Sequence, residues 1–293
     1  MSGAVTTPPG LWRPTALTDA LMAPAVGEFP AASLDELRVT LTAELRALIA
    51  DLPGSERLVL DGYRLRIAAF DPERCAGADV FTPSPKATRR AIGVAAVQRC
   101  VQGRSPAPVT AVREVLYVAL EEVAATVPGS GPGKGPRPPW WAEFYRGLGP
   151  GGRAVVEAEA VTWSTHLWTA LAWERFDHVP AVGGRDDWWA CPGARQLTLK
   201  GRAEVRAPCG DRHALLVVAG GVPTPGWRIE LGFPALVAAL VRGERGAPVR
   251  VVGTWPVSGQ FRVLEVDADA LVEVARAVVS ATGTWVDAAL ERR

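Results

Sequence analysis

The chain has 293 residues, 48% of them hydrophobic and 22% charged, with 32 Lys and Arg against 31 Asp and Glu for a formal net charge of +1. This is a globular mixture with enough length for one large domain or two ordinary ones, and the near-neutral total excludes bulk charge as an argument for a nucleic-acid or membrane-surface partner. No run reaches the roughly 18–20 apolar residues of a membrane span, and the first residues lack the basic start and apolar core of a signal peptide, so a cytoplasmic protein with no membrane partner is expected.

Residues 1–30, rich in Pro, Thr and Ala, read as a flexible arm. Ser33 and Glu36 of S-L-D-E form a capping box, and Leu37, Leu41, Leu45, Leu48 and Ile49 continue from it as a helical stripe. In RLVLDGYRLRIAAF (Arg57 to Phe70) two apolar runs flank Asp61-Gly62, a pair that tolerates positive φ, so the stretch predicts a β-hairpin. Pro83–Gly103 and Pro108–Val127 carry helical spacing. PGSGPGKGPRPP (Pro128 to Pro139) reads as a linker: a phosphate-gripping loop needs Ser or Thr after its Gly-Lys and a strand before it, whereas Gly135 follows Lys134 and a helix precedes.

A long helix is expected over Arg153–Phe176, with Val156, Trp163, Leu167 and Leu171 on one side, and strands at His178–Val182, Arg195–Ala207 and His213–Ala219. Trp227–Gly243 starts irregularly and becomes helical; strands follow at Pro248–Val257 and Gln260–Ala268, then a terminal helix from Ala268 to Leu290. The order implies an α/β fold. A mixed central sheet with flanking helices occupies 140–293, and a mainly helical N-terminal lobe containing the β-hairpin occupies 31–139.

In the strand RQLTLKGRAEVRA, Leu197, Leu199, Gly201, Ala203 and Val205 point one way. Lys200, Arg202, Glu204 and Arg206 point the other. Two readings stand: a solvated edge whose cations pair with Glu204, or a groove for a nucleic-acid backbone held by Lys200, Arg202 and Arg206. The tryptophan pairs Trp140-Trp141 and Trp188-Trp189 serve packing and interfaces, or stack on bases. His166, between Trp163 and Trp168, is expected to be a packed or capping residue. Cys75, Cys100, Cys191 and Cys209 include no CxxC pair, and with His166, His178 and His213 equally scattered no structural zinc site is expected. Reduced thiols are expected.

The element order from Pro83 onward, with LTLKGRAEV in a strand, resembles the RecB-type branch of the PD-(D/E)XK nuclease superfamily. That branch carries a helix with G-x-x-x-H, a strand reading G-R-I-D, a strand ending in D-Y-K, and a helix marked Q-x-x-x-Y. Its histidine and acids gather one or two Mg²⁺ or Mn²⁺ ions that make a nucleophile from water, while the lysine steadies the reacting phosphate. Here Gly93 fits the first motif but Val97 takes the place of the histidine. Gly201 and Arg202 fit the second, with Glu204 for the aspartate. Ala219, Gly220 and Gly221 stand at D-Y-K, and Glu230 and Pro234 fall on the last motif. Iron–sulfur members of the branch carry a late cysteine cluster, and none follows Cys209.

The resemblance therefore implies a degenerate site in which Glu204 is a vestigial metal ligand, with no catalytic residue and no cofactor. The expected role is an inactive nuclease fold that binds DNA, or that serves a helicase, a nuclease or another protein as accessory subunit in DNA processing or defence. Two alternatives stay open. One is an active Mg²⁺- or Mn²⁺-dependent nuclease joining Glu204 to Glu157 or Glu159 and to Asp186 or Asp187. The other is a protein-interaction scaffold without affinity for nucleic acid.

Overall fold

In the computed structural model, which describes residues 14–25, 31–54, 56–77, 84–125, 138–183, 186–219, 222–256 and 258–291, the chain divides into two units. One comprises 1–79 with 184–293, the other 80–183. In chain order the helices are α1 (Pro14–Met22), α2 (Ala31–Leu48), α3 (Gly62–Phe70), α4 (Pro85–Val101), α5 (Pro108–Ala125), α6 (Trp140–Gly147), α7 (Pro150–Ala170), α8 (Trp227–Arg242) and α9 (Ala268–Glu291). The strands are β1 (Leu58–Asp61), β2 (Ala181–Val182), β3 (Asp187–Ala190), β4 (Leu197–Gly201), β5 (Val205–Cys209), β6 (Arg212–Val218), β7 (Arg250–Trp255) and β8 (Gln260–Glu265). The fold is mixed α/β. The linker expected at 128–139 falls almost wholly outside the described residues.

The hairpin expected at 57–70 is not formed. Asp61 is extended, at φ −119° and ψ 175°, and its carboxylate accepts from Arg64 N at 2.9 Å, so it caps a helix instead of opening a turn. The helix α3 then buries Leu65 and Ile67, while β1 finds a parallel partner in β4, with Leu58 opposite Leu197 and Asp61 opposite Lys200. The expected arm is also partly structured. Leu17 and Leu21 of α1 are fully buried, and Arg250 Nη1 and Nη2 donate to Ala20 O at 3.0 Å and Pro24 O at 2.6 Å.

The strand expected over 195–207 is two strands in two sheets. In the first sheet β4 lies between β1 and β3, and in the second β5, β6, β7 and β8 lie side by side in that order. The chain crosses from one to the other at Arg202–Glu204. Glu204 and Val205, adjacent in sequence, are both buried, which a single alternating strand cannot do. Residues 187–190, not expected as a strand, form β3 antiparallel to β4, with Trp188 opposite Lys200. In the second sheet β5 and β6 are antiparallel, β6 and β7 parallel, and β7 and β8 antiparallel.

Helix α8 makes the parallel crossover from β6 to β7 and is buried without interruption from Leu231 to Leu240. Glycines let the sheets approach it closely. A Cβ on Gly201 of β4 would sit 2.8 Å from Val237 Cβ, and one on Gly253 of β7 would sit 2.5 Å from Leu231 Cδ2. Leu236 and Phe233 of α8, Leu197 and Leu199 of β4, Val251 and Trp255 of β7, and Leu271, Val274 and Val278 of α9 share one core.

In the unit 80–183, α4 starts with Ser84 accepting from Ala87 N at 3.2 Å and Pro85 in the first turn. Ile92, Ala96 and Cys100 of α4 pack with Val112, Val115 and Leu116 of α5, Trp141 and Tyr145 of α6, and Val156 and Ala160 of α7. Gly93 admits Trp163: a Cβ there would lie 2.5 Å from the indole.

Candidate functional site

The basic residues singled out in the sequence separate into two groups inside the first unit. Lys200, on β4, places Nζ 3.1 Å from Asp186 Oδ2 and 4.6 Å from the ring centroid of Trp188 on the neighbouring strand. Arg202, just beyond β4, brings Nε to 4.0 Å from the other Asp186 oxygen. Two cations on one carboxylate leave one positive charge in excess. Trp188 is 52% exposed and Trp189 is buried, because β3 alternates and sends one indole out and one into the core. The result is a cationic, aromatic surface at the edge of the sheet.

Arg206 belongs elsewhere. Its Nη2 donates to Asp187 Oδ2 at 2.8 Å, and Arg242 from α8 donates to Asp187 Oδ1 through Nε at 2.9 Å and Nη2 at 2.7 Å. Arg206 Nη1 lies 2.6 Å from His213 Nε2. Burial, then Arg206 and Arg242, hold His213 down to about 4, so at neutral pH the imidazole is uncharged and its Nε2 accepts a hydrogen bond from Arg206 Nη1. Because the unfolded chain protonates this histidine at the ordinary value of 6.5, acidification from 6.5 towards about 4 drains stability from the folded state. The expected loss over that window is on the order of 2 kcal/mol after allowing for partial exposure. Urea denaturation across the window should show that slope in the natural chain and its removal in His213→Gln. Glu230 and Glu265, both raised by burial, oppose the slope equally in the two proteins.

Glu204 stands between the two groups in sequence and is 1% exposed. Its amide donates to Leu216 O at 2.8 Å, and its Oε2 accepts from Val218 N at 2.7 Å, so the residue at the head of β5 is fastened to the tail of β6. Among the described residues, no three His, Cys, Asp or Glu side chains assemble into a group that would hold a metal ion. Glu159 and Glu157 receive Arg89 at 2.8 Å and Arg113 at 3.8 Å within the helical unit. Val97 is buried on α4 of that unit, Glu204 belongs to the other, and Gly220 and Gly221 lie outside the described residues.

The remaining sequence candidates have structural surroundings. His166, expected to be a packed or capping residue, stands exposed on α7. Trp168 and Trp173 stack at 5.6 Å between centroids, and Trp173 Nε1 donates to Trp168 O at 2.7 Å. The four cysteines are buried and form no disulfide among the described residues, and burial raises the thiols of Cys100 and Cys191. Among the described residues no helix is long and apolar enough to cross a membrane. Asp186 and Asp187 are the partners that the alternation of 195–207 could not reveal, since they arrive from the start of β3. Compared with known proteins, the chain matches no family model, no curated protein and no solved structure.

Proposed function

We propose that the chain is a non-cleaving, RecB-like nuclease-fold protein that holds nucleic acid on the surface formed by Lys200, Arg202 and Trp188, as an accessory subunit of a DNA-processing or defence assembly. The observation that carries the binding half is the placement of Trp188 directly opposite Lys200, with Arg202 sharing the same carboxylate. Lys200 and Asp186 are partly buried, so a backbone phosphate that takes the place of Asp186 has to restore the pairing it breaks, which its anionic oxygens do, and the exposed indole offers a stacking platform for a base.

Support for the nuclease-like half comes from strand order. The antiparallel pair β5–β6 leads through α8 to β7, parallel to β6, and Glu204 meets the end of β6 where the resemblance sets its second acid motif. That end reads Val218-Ala219-Gly220-Gly221, with no carboxylate and no lysine. A single acid makes a poor site for Mg²⁺, which is why the proposal has binding without hydrolysis.

Fluorescence anisotropy with a labelled single-stranded oligonucleotide tests the surface. Lys200→Ala combined with Arg202→Ala should weaken binding and lower the slope of log K against log salt by about 1 for each phosphate that is no longer neutralised. Trp188→Ala should remove about 1–3 kcal/mol of a contribution that does not vary with salt. Binding that ignores all three substitutions would overturn this surface and place the nucleic acid elsewhere on the chain, and no binding at all would favour the interaction-scaffold reading instead.

A further inference from the structure

A second cationic site lies at the opposite ends of the same strands. The parallel register of β1 and β4 sets Leu58 opposite Leu197, and Leu58 N donates to Gln196 O at 2.7 Å, so Arg57 and Gln196 lead into their strands side by side. Arg57, Arg195, Gln196, Gly54 and Gly193 line one open cleft there. Arg57 is steadied by its own loop: Nη1 donates to Gly54 O at 2.7 Å and to Glu56 O at 3.0 Å. Its Nη2 and Nε make no hydrogen bond among the described residues, which leaves that side of the fork for a ligand.

A third guanidinium comes from α2. Gly193, at φ +73°, belongs to a turn closed by Ala194 N donating to Cys191 O at 3.0 Å. A Cβ on Gly193 would sit 3.2 Å from Arg46 Cζ, so the turn is moulded against the arginine by a residue that has no side chain. Arg46, Arg57 and Arg195 are all exposed, and among the described residues none has a carboxylate within 4.0 Å. The neighbouring acids, Asp51 and Glu56, are exposed and form no ion pair with them. Guanidinium does not deprotonate in proteins, so the three charges persist at any working pH and have no protein counter-charge at ion-pairing distance.

We infer that this cleft is an anion site that takes a phosphate group, gripped by the forks of Arg57 and Arg195 with Arg46 reinforcing the charge. Planar guanidinium pairs match the spacing of phosphate oxygens and bind them through two parallel hydrogen bonds. Gln196 adds a neutral donor at the same edge. The cleft is separate from the surface around Lys200, which lies four residues further along β4, about 13 Å at 3.3 Å per residue. The phosphate can belong to a small phosphorylated ligand or to a nucleic-acid backbone; the site and its chemistry are the same, and the inference stands whether or not Lys200 and Arg202 bind DNA.

Isothermal titration of the full chain with inorganic pyrophosphate tests it. The natural protein should bind, Arg57→Ala with Arg195→Ala should weaken binding by about tenfold or more, and Arg195→Lys should retain part of it because charge survives without the fork. Lys200→Ala with Arg202→Ala should bind pyrophosphate as the natural chain does. An unchanged thermal transition in the arginine variants checks that both exposed substitutions leave the fold intact. Failure of the natural chain to bind pyrophosphate, or equal binding by the Arg57/Arg195 double variant, overturns the site. A single-stranded oligonucleotide added to the Lys200/Arg202 double variant then names the source: displacement of pyrophosphate identifies a nucleic-acid backbone, and its retention identifies a small phosphorylated ligand.

Discussion

Arg250→Ala is expected to destabilise the protein by about 3–5 kcal/mol and to release α1 from the sheet. Arg250 is 1% exposed at the start of β7, and its guanidinium is shared among three partners: Ala20 O, Pro24 O and Glu265 Oε2, the last at 3.2 Å from Nη2. Truncation removes a charge that is satisfied on every side and strands two main-chain carbonyls, while Glu265, 40% exposed, turns to water. Only nine residues long, α1 has little stability of its own and depends on the burial of Leu17 and Leu21 that this arginine secures. Urea denaturation should show the lost stability, and limited proteolysis should show earlier cleavage near Ala23 and Pro24. A loss below about 1 kcal/mol would mean that the arginine is a bystander to α1 docking.

Asp187→Ala is the second large effect, about 2–4 kcal/mol. Asp187 is 7% exposed and carries both Arg206 and Arg242. Without it two guanidiniums face each other and His213 across the start of β3. The range is set below that of a fully buried triad because Arg242 keeps 43% of its side chain in water. Adding Arg206→Met to Asp187→Ala should recover part of the loss, since the repulsion disappears with the second charge. Additive destabilisation in the double variant would contradict this arrangement.

These two arginine clusters mark where the sequence was opaque. The stripe Leu37, Leu41, Leu45 and the spacing of α4, α5, α7 and α9 were legible because each helix buries one face at helical period. The apolar runs of β6 and β7 were legible because a central strand is covered on both sides. The break between β4 and β5 was hidden: Leu197, Leu199, Gly201, Val205 and Ala207 are all buried, so the alternation stays in phase across a change of sheet. Asp61-Gly62 looked like a hairpin turn because the same aspartate that favours turns also caps helices, and only the distant pairing of β1 with β4 decides between them. Ser33 sits inside α2, which begins at Ala31 and so leaves the expected capping box unused as a start signal.

For the candidate site, residue types were legible and partners were not. Lys200 and Arg202 were visible as a cationic line, but the indole of Trp188 comes from β3 and their shared Asp186 from the residue just before it, a strand of four residues that carries too little pattern to be read alone. Arg206 looked like a third member of that line, and its partner Asp187, 19 residues earlier, takes it into a different cluster. Long-range pairing of short segments leaves no periodic signal in a single sequence.

The most direct measurement incubates the purified chain with labelled single-stranded DNA in Mg²⁺ and then in Mn²⁺, following anisotropy and strand length in the same samples over a salt series. The predicted result is binding that weakens steeply with salt while every strand remains full length in both metals. Metal-dependent shortening of the DNA that disappears in Glu204→Ala would contradict it, because a carboxylate fastened to the amide of Val218 would then be a working ligand.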